Sequence, residues 1–213
     1  METKNIRWLG HASILVETPN GNIIVDPWKL TNDYKAELVL VTHSHFDHLS
    51  VDDIRKVLPK GKSLIAPPDC LDALKEDYSC QAIKPGEEKD LGWVKIRAVK
   101  AYNPQKNFHP ENNGWVGYII KTDMQTIYVA GDTDLIPEMK QIRADIALLP
   151  VGGTYTMNYL EAASAARLIK PGIAIPIHYG DIVGEENEGE KFAKELSEIK
   201  TLILKPELKA KSA

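Results

Sequence analysis

Apolar and polar residues fall into short blocks along the chain, and the period of the pattern changes from one block to the next. "ASILVET" (12–18) and "NIIVD" (22–26) are apolar runs separated by Pro19, Asn20 and Gly21. Asn-Gly between two such runs predicts a hairpin. "LVLVT" (38–42) is apolar almost throughout, as a strand buried on both faces is. "DDIRKVL" predicts a short helix stopped by Pro59, "SLIAP" a second buried strand, and a helical stretch follows from Asp69. "WVKIRAVKA" (93–101) alternates with period two, the pattern of a sheet with one covered face. "WVGYIIKT" and "TIYVAGD", parted by Asp123, Met124 and Gln125, predict another hairpin.

Beyond this point strands and helices take turns. "DIALLPVGG" reads as a strand and a glycine loop, which either lines a pocket or is a plain turn. "NYLEAASAARLIKPG" reads as a helix with Asn158 as its N-cap, Glu161 as the matching third residue and Lys170-Pro171-Gly172 as its stop. "IAIPIH" is a further strand, a last helix is expected around 188–199, and the lysine-rich segment 205–213 is expected to fray. Hairpin-linked strands followed by strands alternating with helices predict an α+β chain with two mixed sheets and helices outside them. Three predicted strands lead to polar residues: His43, Asp132 and His178. Strand ends that converge on one edge are where such folds build sites.

Composition narrows the setting. At 213 residues, the chain suits a single domain spanning 1–213 with a sizeable core. Hydrophobic residues at 43% and charged residues at 26% are ordinary for a soluble globular protein. A formal charge of -4 supplies no global field for holding nucleic acid. No apolar run reaches membrane-spanning length, and "METKNIRWLGHAS" lacks the apolar centre of a signal peptide, so a cytoplasmic protein with no membrane partner is expected. Cys70 and Cys80 form no C-x-x-C pair and are expected to be free thiols without a chemical role.

The chemistry lies in "THSHFDHLS". Three of the six histidines and an aspartate fall between His43 and His48. Imidazole and carboxylate suit zinc, iron or manganese. A regular helix or strand would not turn all four toward one ion. In a loop, His43 and His45 can face one ion while Asp47 and His48 face its neighbour, and two ions roughly 3.5–4 Å apart are a known hydrolytic arrangement. Asp132, in "AGDTD", can bridge two ions through its two oxygens; His178 can complete one site and His109 the other. His11 reads as a buried histidine that either bonds a neighbouring strand or orients a ligand, and Asp26 as a hydrogen-bond acceptor beneath the site; Asp134, which is compatible with a turn cap, is left out of the ligand set.

"THSHFDHLS" resembles the H-x-H-x-D-H signature of the metallo-β-lactamase superfamily, "YVAGDTD" its bridging-aspartate motif and "IPIHYG" its final histidine motif. "WLGHASILVE" and "IIVDPW" resemble its opening strands. The look is closest to the small single-domain hydrolases of the ascorbate-phosphate-lactonase-like branch. The resemblance implies a four-layer αβ/βα sandwich of two mixed sheets with outer helices, and two divalent ions, zinc first with manganese or iron as alternatives. His43 and His45 would hold the first ion, Asp47, His48 and His178 the second, with Asp132 between them. Asp47 would also orient the attacking water or shuttle its proton. One departure stands out: the family's third ligand to the first ion lies just after a strand, where this chain has Asn103, and the nearest histidine is His109. Either the loop folds back to deliver His109, or the first site lacks a ligand.

The function so implied is hydrolysis of an ester, lactone or phosphodiester of a small metabolite by a metal-bridged hydroxide. The alternatives are a di-iron oxidoreductase, against which His45 stands where that branch typically has glutamate, and a non-catalytic metal- or partner-binding module on the same fold. The negative charge and the lack of a long inserted arm argue against an RNA substrate. The sequence does not fix the oligomeric state.

Overall fold

A computed structural model describes residues 3–207. The backbone falls into two compact units, one of residues 3–83 with 205–207, the other Lys84–Leu204.

The N-terminal unit is built on a six-stranded sheet whose strands lie side by side in chain order: β1 (Ile6–Gly10), β2 (Ser13–Thr18), β3 (Gly21–Val25), β4 (Leu38–Leu40), β5 (Ser63–Ala66) and β6 (Cys80–Ala82). The expected hairpin is β2–β3, with Thr18 paired to Gly21 across Pro19 and Asn20. From β3 onward every pairing is parallel, so the sheet is mixed. Register explains the core: Leu15, Ile24, Val39 and Leu64 stand opposite one another in one row across four strands. That row packs with Ile54, Val57 and Leu58 of α1 (Val51–Val57) and its cap, and with Leu74 of α2 (Leu71–Leu74). Each such buried side chain contributes about 1.5–3 kcal/mol. The alternate residues Ile14, Ile23, Leu38, Leu40 and Ile65 are equally buried, which is why β4 reads as an unbroken apolar run.

Side chains tie the connections down. Ser50 caps α1 by accepting the N–H of Asp53. Asp53, buried, accepts in turn from the backbone N–H groups of Lys29 and Leu30. The helical stretch expected from Asp69 is a 3-10 turn (Pro68–Cys70) followed by the single turn of α2. At the start of the segment expected to fray, Glu207 donates its N–H to Trp8 O, and its carboxylate accepts from Arg7 and Tyr34. The rest of that expectation, residues 208–213, lies outside the described residues.

The C-terminal unit carries a seven-stranded sheet of β7 (Glu88–Asp90), β8 (Lys95–Lys100), β9 (Val116–Lys121), β10 (Thr126–Val129), β11 (Ile146–Pro150), β12 (Ile173–Ile177) and β13 (Lys200–Thr201), again side by side. It is antiparallel from β7 to β10 and parallel from β10 to β13. Helix α3 (Tyr159–Ile169) has the predicted capping box, Asn158 accepting from Glu161 N while the Glu161 side chain accepts from Asn158 N, and it stops on Lys170 in the left-handed conformation. Its alanines 162, 163, 165 and 166 are buried, and small side chains let it lie close on β11. The last helix, α4 (Glu188–Glu195), is shorter than expected.

Candidate metal centre

The N-terminal unit supplies the histidine loop. Strand β4 delivers the chain to Thr42 and His43, and the loop then closes a single turn in which His48 N and Leu49 N both donate to His45 O, at 3.0 and 2.8 Å. The turn brings the side chains of His43, His45, Asp47 and His48 close together. His43 Nε2 lies 3.1 Å from His45 Nδ1, and the two rings meet edge to face at 4.7 Å. Asp47 Oδ2 lies 3.8 Å from His48 Nε2. His43 and His48 are buried, their ring centroids 4.0 Å apart, whereas Phe46, between the ligand candidates, is 70% exposed and edge-on to Trp28.

Beneath the loop, Asp26 acts as the acceptor the sequence suggested. It takes Thr42 N–H at 2.7 Å on one oxygen, and on the other Thr42 Oγ1 at 2.6 Å and His48 Nδ1 at 2.7 Å. Burial pushes the Asp26 carboxyl above the usual carboxylate range, opposed by His48 and the Thr42 bonds. Because Nδ1 of His48 is turned to this carboxylate, Nε2 is the nitrogen offered to a metal. Thr42 Oγ1 also lies 2.9 Å from His43 Nδ1, so a single threonine orients one ring and joins it to Asp26. Sequence reading passed over Thr42, although a polar residue closing an otherwise apolar strand was a usable signal. His11 is brought to Asp47, Nε2 to Oδ2 at 3.0 Å. One ligand-type atom from each of His11, Asp47 and His48 lies within 4.8 Å of the other two.

The C-terminal unit supplies His109, Asp132 and His178, all buried. Asp132 follows β10 by way of Ala130 and Gly131, and His178 ends β12. The two oxygens of Asp132 address different imidazoles: Oδ2 is 3.3 Å from His109 Nε2 and Oδ1 is 3.2 Å from His178 Nε2. The loop after β8 does fold back, with Asn103 N donating to His109 O at 2.8 Å. Asp134, kept out of the ligand set, is held by Lys106 at 2.6 Å. In the glycine loop after β11, a side chain at Gly152 would meet His178 O at 2.4 Å, so glycine is required there by the close approach of the histidine's backbone.

Three non-glycine residues at these positions have positive φ: His11 (48°), Asp26 (47°) and His178 (60°). This conformation costs free energy for an L-residue and concentrates at functional sites. Each of the three sits next to a strand end, where the unusual φ redirects the chain.

Whether these residues suit a metal can be judged from His109. Asn103 Oδ1 accepts the backbone N–H of His109 at 3.0 Å and lies 2.8 Å from its Nδ1. Asn103 Nδ2 donates to Tyr155 O, which fixes the amide's orientation. Nδ1 therefore carries a proton, and Nε2, 3.3 Å from Asp132 Oδ2, is the nitrogen available to a metal. The donor set of imidazole and carboxylate is that of a divalent transition-metal site.

The chain belongs to the β-lactamase superfamily: the family described as "Beta-lactamase superfamily domain" matches residues 5–178. Over 94% of its length it is 32% identical to a UPF0173 metal-dependent hydrolase of Methanopyrus kandleri, covering 96% of that protein. It is 36% identical to a UPF0173 metal-dependent hydrolase of Saccharolobus solfataricus, over 82% of this chain and 83% of the other. The crystal structure of a metal-dependent hydrolase candidate from Parabacteroides distasonis matches with a TM-score of 0.84 at 35% identity, covering 94% of this chain and 92% of that one. The resemblance read from the three motifs holds, as does the α+β class with two mixed sheets. Among the described residues no helix is long and apolar enough to cross a membrane.

Proposed function

We propose that the protein is a metal-dependent hydrolase that holds two divalent ions, zinc first among them, and cleaves an ester, lactone or phosphodiester of a small metabolite. His43, His45 and His109 would hold the first ion, Asp47, His48 and His178 the second, with Asp132 shared. The observation that carries this reading is Asp132, whose two oxygens each face the Nε2 of a different imidazole, the arrangement a bridging carboxylate needs. The names of the relatives support the hydrolase class.

When bound, the ions would supply a water of lowered pKa and an electrophile for the substrate oxygen. The chain's own part is positioning. Asp26 and Thr42 set the rings of His48 and His43. Asp47 is the catalytic residue of this reading: half-buried and steered by His11, it orients the attacking water and takes its proton at a carboxylate oxygen.

The test is turnover of a generic phosphodiester and a panel of small lactones and esters before and after chelation. Turnover lost on chelation, restored by added metal and abolished by Asp132→Asn supports the reading. Turnover indifferent to chelation, or none on any of the three bond types with metal restored, overturns it.

A further inference from the structure

Asn103 stands where the family resemblance places a metal-binding histidine, three residues past the end of β8, and it grips the histidine that comes six residues later. One carboxamide oxygen serves both the backbone N–H and the Nδ1 of His109, while the amide nitrogen is spent on Tyr155 O. Both Asn103 and His109 are buried. Between them lies Lys106, whose ammonium donates to Asp134 Oδ1 at 2.6 Å, Thr156 O at 2.6 Å and Gly153 O at 3.2 Å. The ring of Phe108 meets that of Tyr155 edge to face at 4.7 Å. The 103–109 loop is thus sewn to the 153–156 loop at three points, by an amide, an ammonium and an aromatic pair. It is also sewn to the segment around Asp132: Asp134 N donates to Tyr102 O at 3.0 Å, and Thr133 Oγ1 donates to the same carbonyl at 3.1 Å.

A loop that merely crossed the surface would not consume three ammonium donors and a buried amide. The Asn103 bond sets which nitrogen the His109 ring presents, and the others hold the loop that carries it. From this we propose that Asn103 and Lys106 are positioning residues that deliver His109 to the metal centre as its Nδ1–H tautomer, so that a loop histidine does the work of a strand-end ligand. Asn103 acts directly on the ring; Lys106 acts through the loop that carries it. The inference rests on the metal reading above for its purpose and on the hydrogen bonds alone for its geometry.

The test uses full-length protein and two readouts. Long-range proton–nitrogen correlation spectra of metal-free, nitrogen-15-labelled protein report the His109 tautomer. Competition with a chromophoric chelator, using zinc as the probe, reports metal affinity. The wild type is expected to show proton-bearing Nδ1. Asn103→Leu, which keeps the branched shape and loses the acceptor, is expected to give mixed tautomers and zinc binding weaker by about 10–100-fold. Lys106→Met is expected to weaken zinc binding similarly. Asn103→Asp keeps an acceptor for both N–H groups and is expected to retain the tautomer and most of the affinity, which separates positioning from general loss of folding. An unchanged tautomer and unchanged affinity in Asn103→Leu overturn the proposal. Wild-type protein that binds no zinc overturns the metal reading instead, and the tautomer, read on metal-free protein, still decides whether Asn103 sets the ring.

Discussion

Asp26 Oδ2 lies 2.7 Å from His48 Nδ1, both side chains are buried, and the carboxylate that turns this ring also holds Thr42, the residue that orients His43. One aspartate, itself in a left-handed backbone conformation, therefore organises two of the proposed ligands. Asp26→Asn removes the charge and presents a donor to groups that are donors themselves. Zinc affinity is expected to fall by about 10–100-fold, with secondary structure by circular dichroism unchanged. Affinity equal to the wild type's would show that Asp26 serves the fold only.

A backbone approach sets the position of Asp132. A Cβ on Gly117 would lie 2.5 Å from Ala130 O, two residues before the aspartate. Gly117→Ala is expected to cost about 1–3 kcal/mol in urea unfolding, because backbone and not a flexible side chain must give way. It is also expected to lower metal retention after dialysis, since β10 delivers Asp132. Full stability and full metal content together would contradict the close approach.

The capping box of α3 makes a prediction confined to stability. Asn158→Ala removes an acceptor used by both Leu160 N and Glu161 N, and is expected to cost about 1 kcal/mol with an unchanged m-value. Hydrolysis and metal content are expected to stay at wild-type levels.

The cysteines predict a pH dependence. Burial raises both thiols, that of Cys80 up to about 12. The folded protein therefore keeps its protons where the unfolded chain, with ordinary thiols near 9, has lost them. A folded-state pKa raised in this way stabilises fully below about pH 9, and the contribution is lost as pH rises toward about 12. Urea midpoints are expected to fall between about pH 8 and about pH 10.5, and less steeply in Cys80→Ser. An equal fall in the variant would assign the trend to other groups. The same shift disfavours the thiolate form of both at neutral pH.

The elements that sequence pattern foretold best are those whose signal is local. Asn158 and Glu161 announce the start of α3 three residues apart, and Asn20-Gly21 announces the β2–β3 hairpin. Strands β6, β7 and β13 escaped because "CQA", "EKD" and "KT" are too short and too polar to show a period; tertiary pairing makes them strands. The bonds of Glu207 had no local sequence mark, because lysine-rich composition says nothing of one carboxylate that meets Arg7 and Tyr34 far back in the chain. At the candidate centre, six of the seven proposed ligands stand in three motifs, and His109 stands outside them. Of the supports, Asp26 and His11 were legible, but Thr42, Asn103 and Lys106 were not, since the bonds of Asn103 to Tyr155 and Lys106 to Thr156 join residues some fifty positions apart. The positive φ of His11, Asp26 and His178 has no sequence mark either, because the residues that adopt it are not glycine.

The central claim is a centre of two ions, and metal content per chain by inductively coupled plasma mass spectrometry tests it most directly. After reconstitution with zinc and removal of the excess, close to two ions per chain are predicted, falling in Asp132→Asn. One ion per chain, or none, would contradict the two-ion centre.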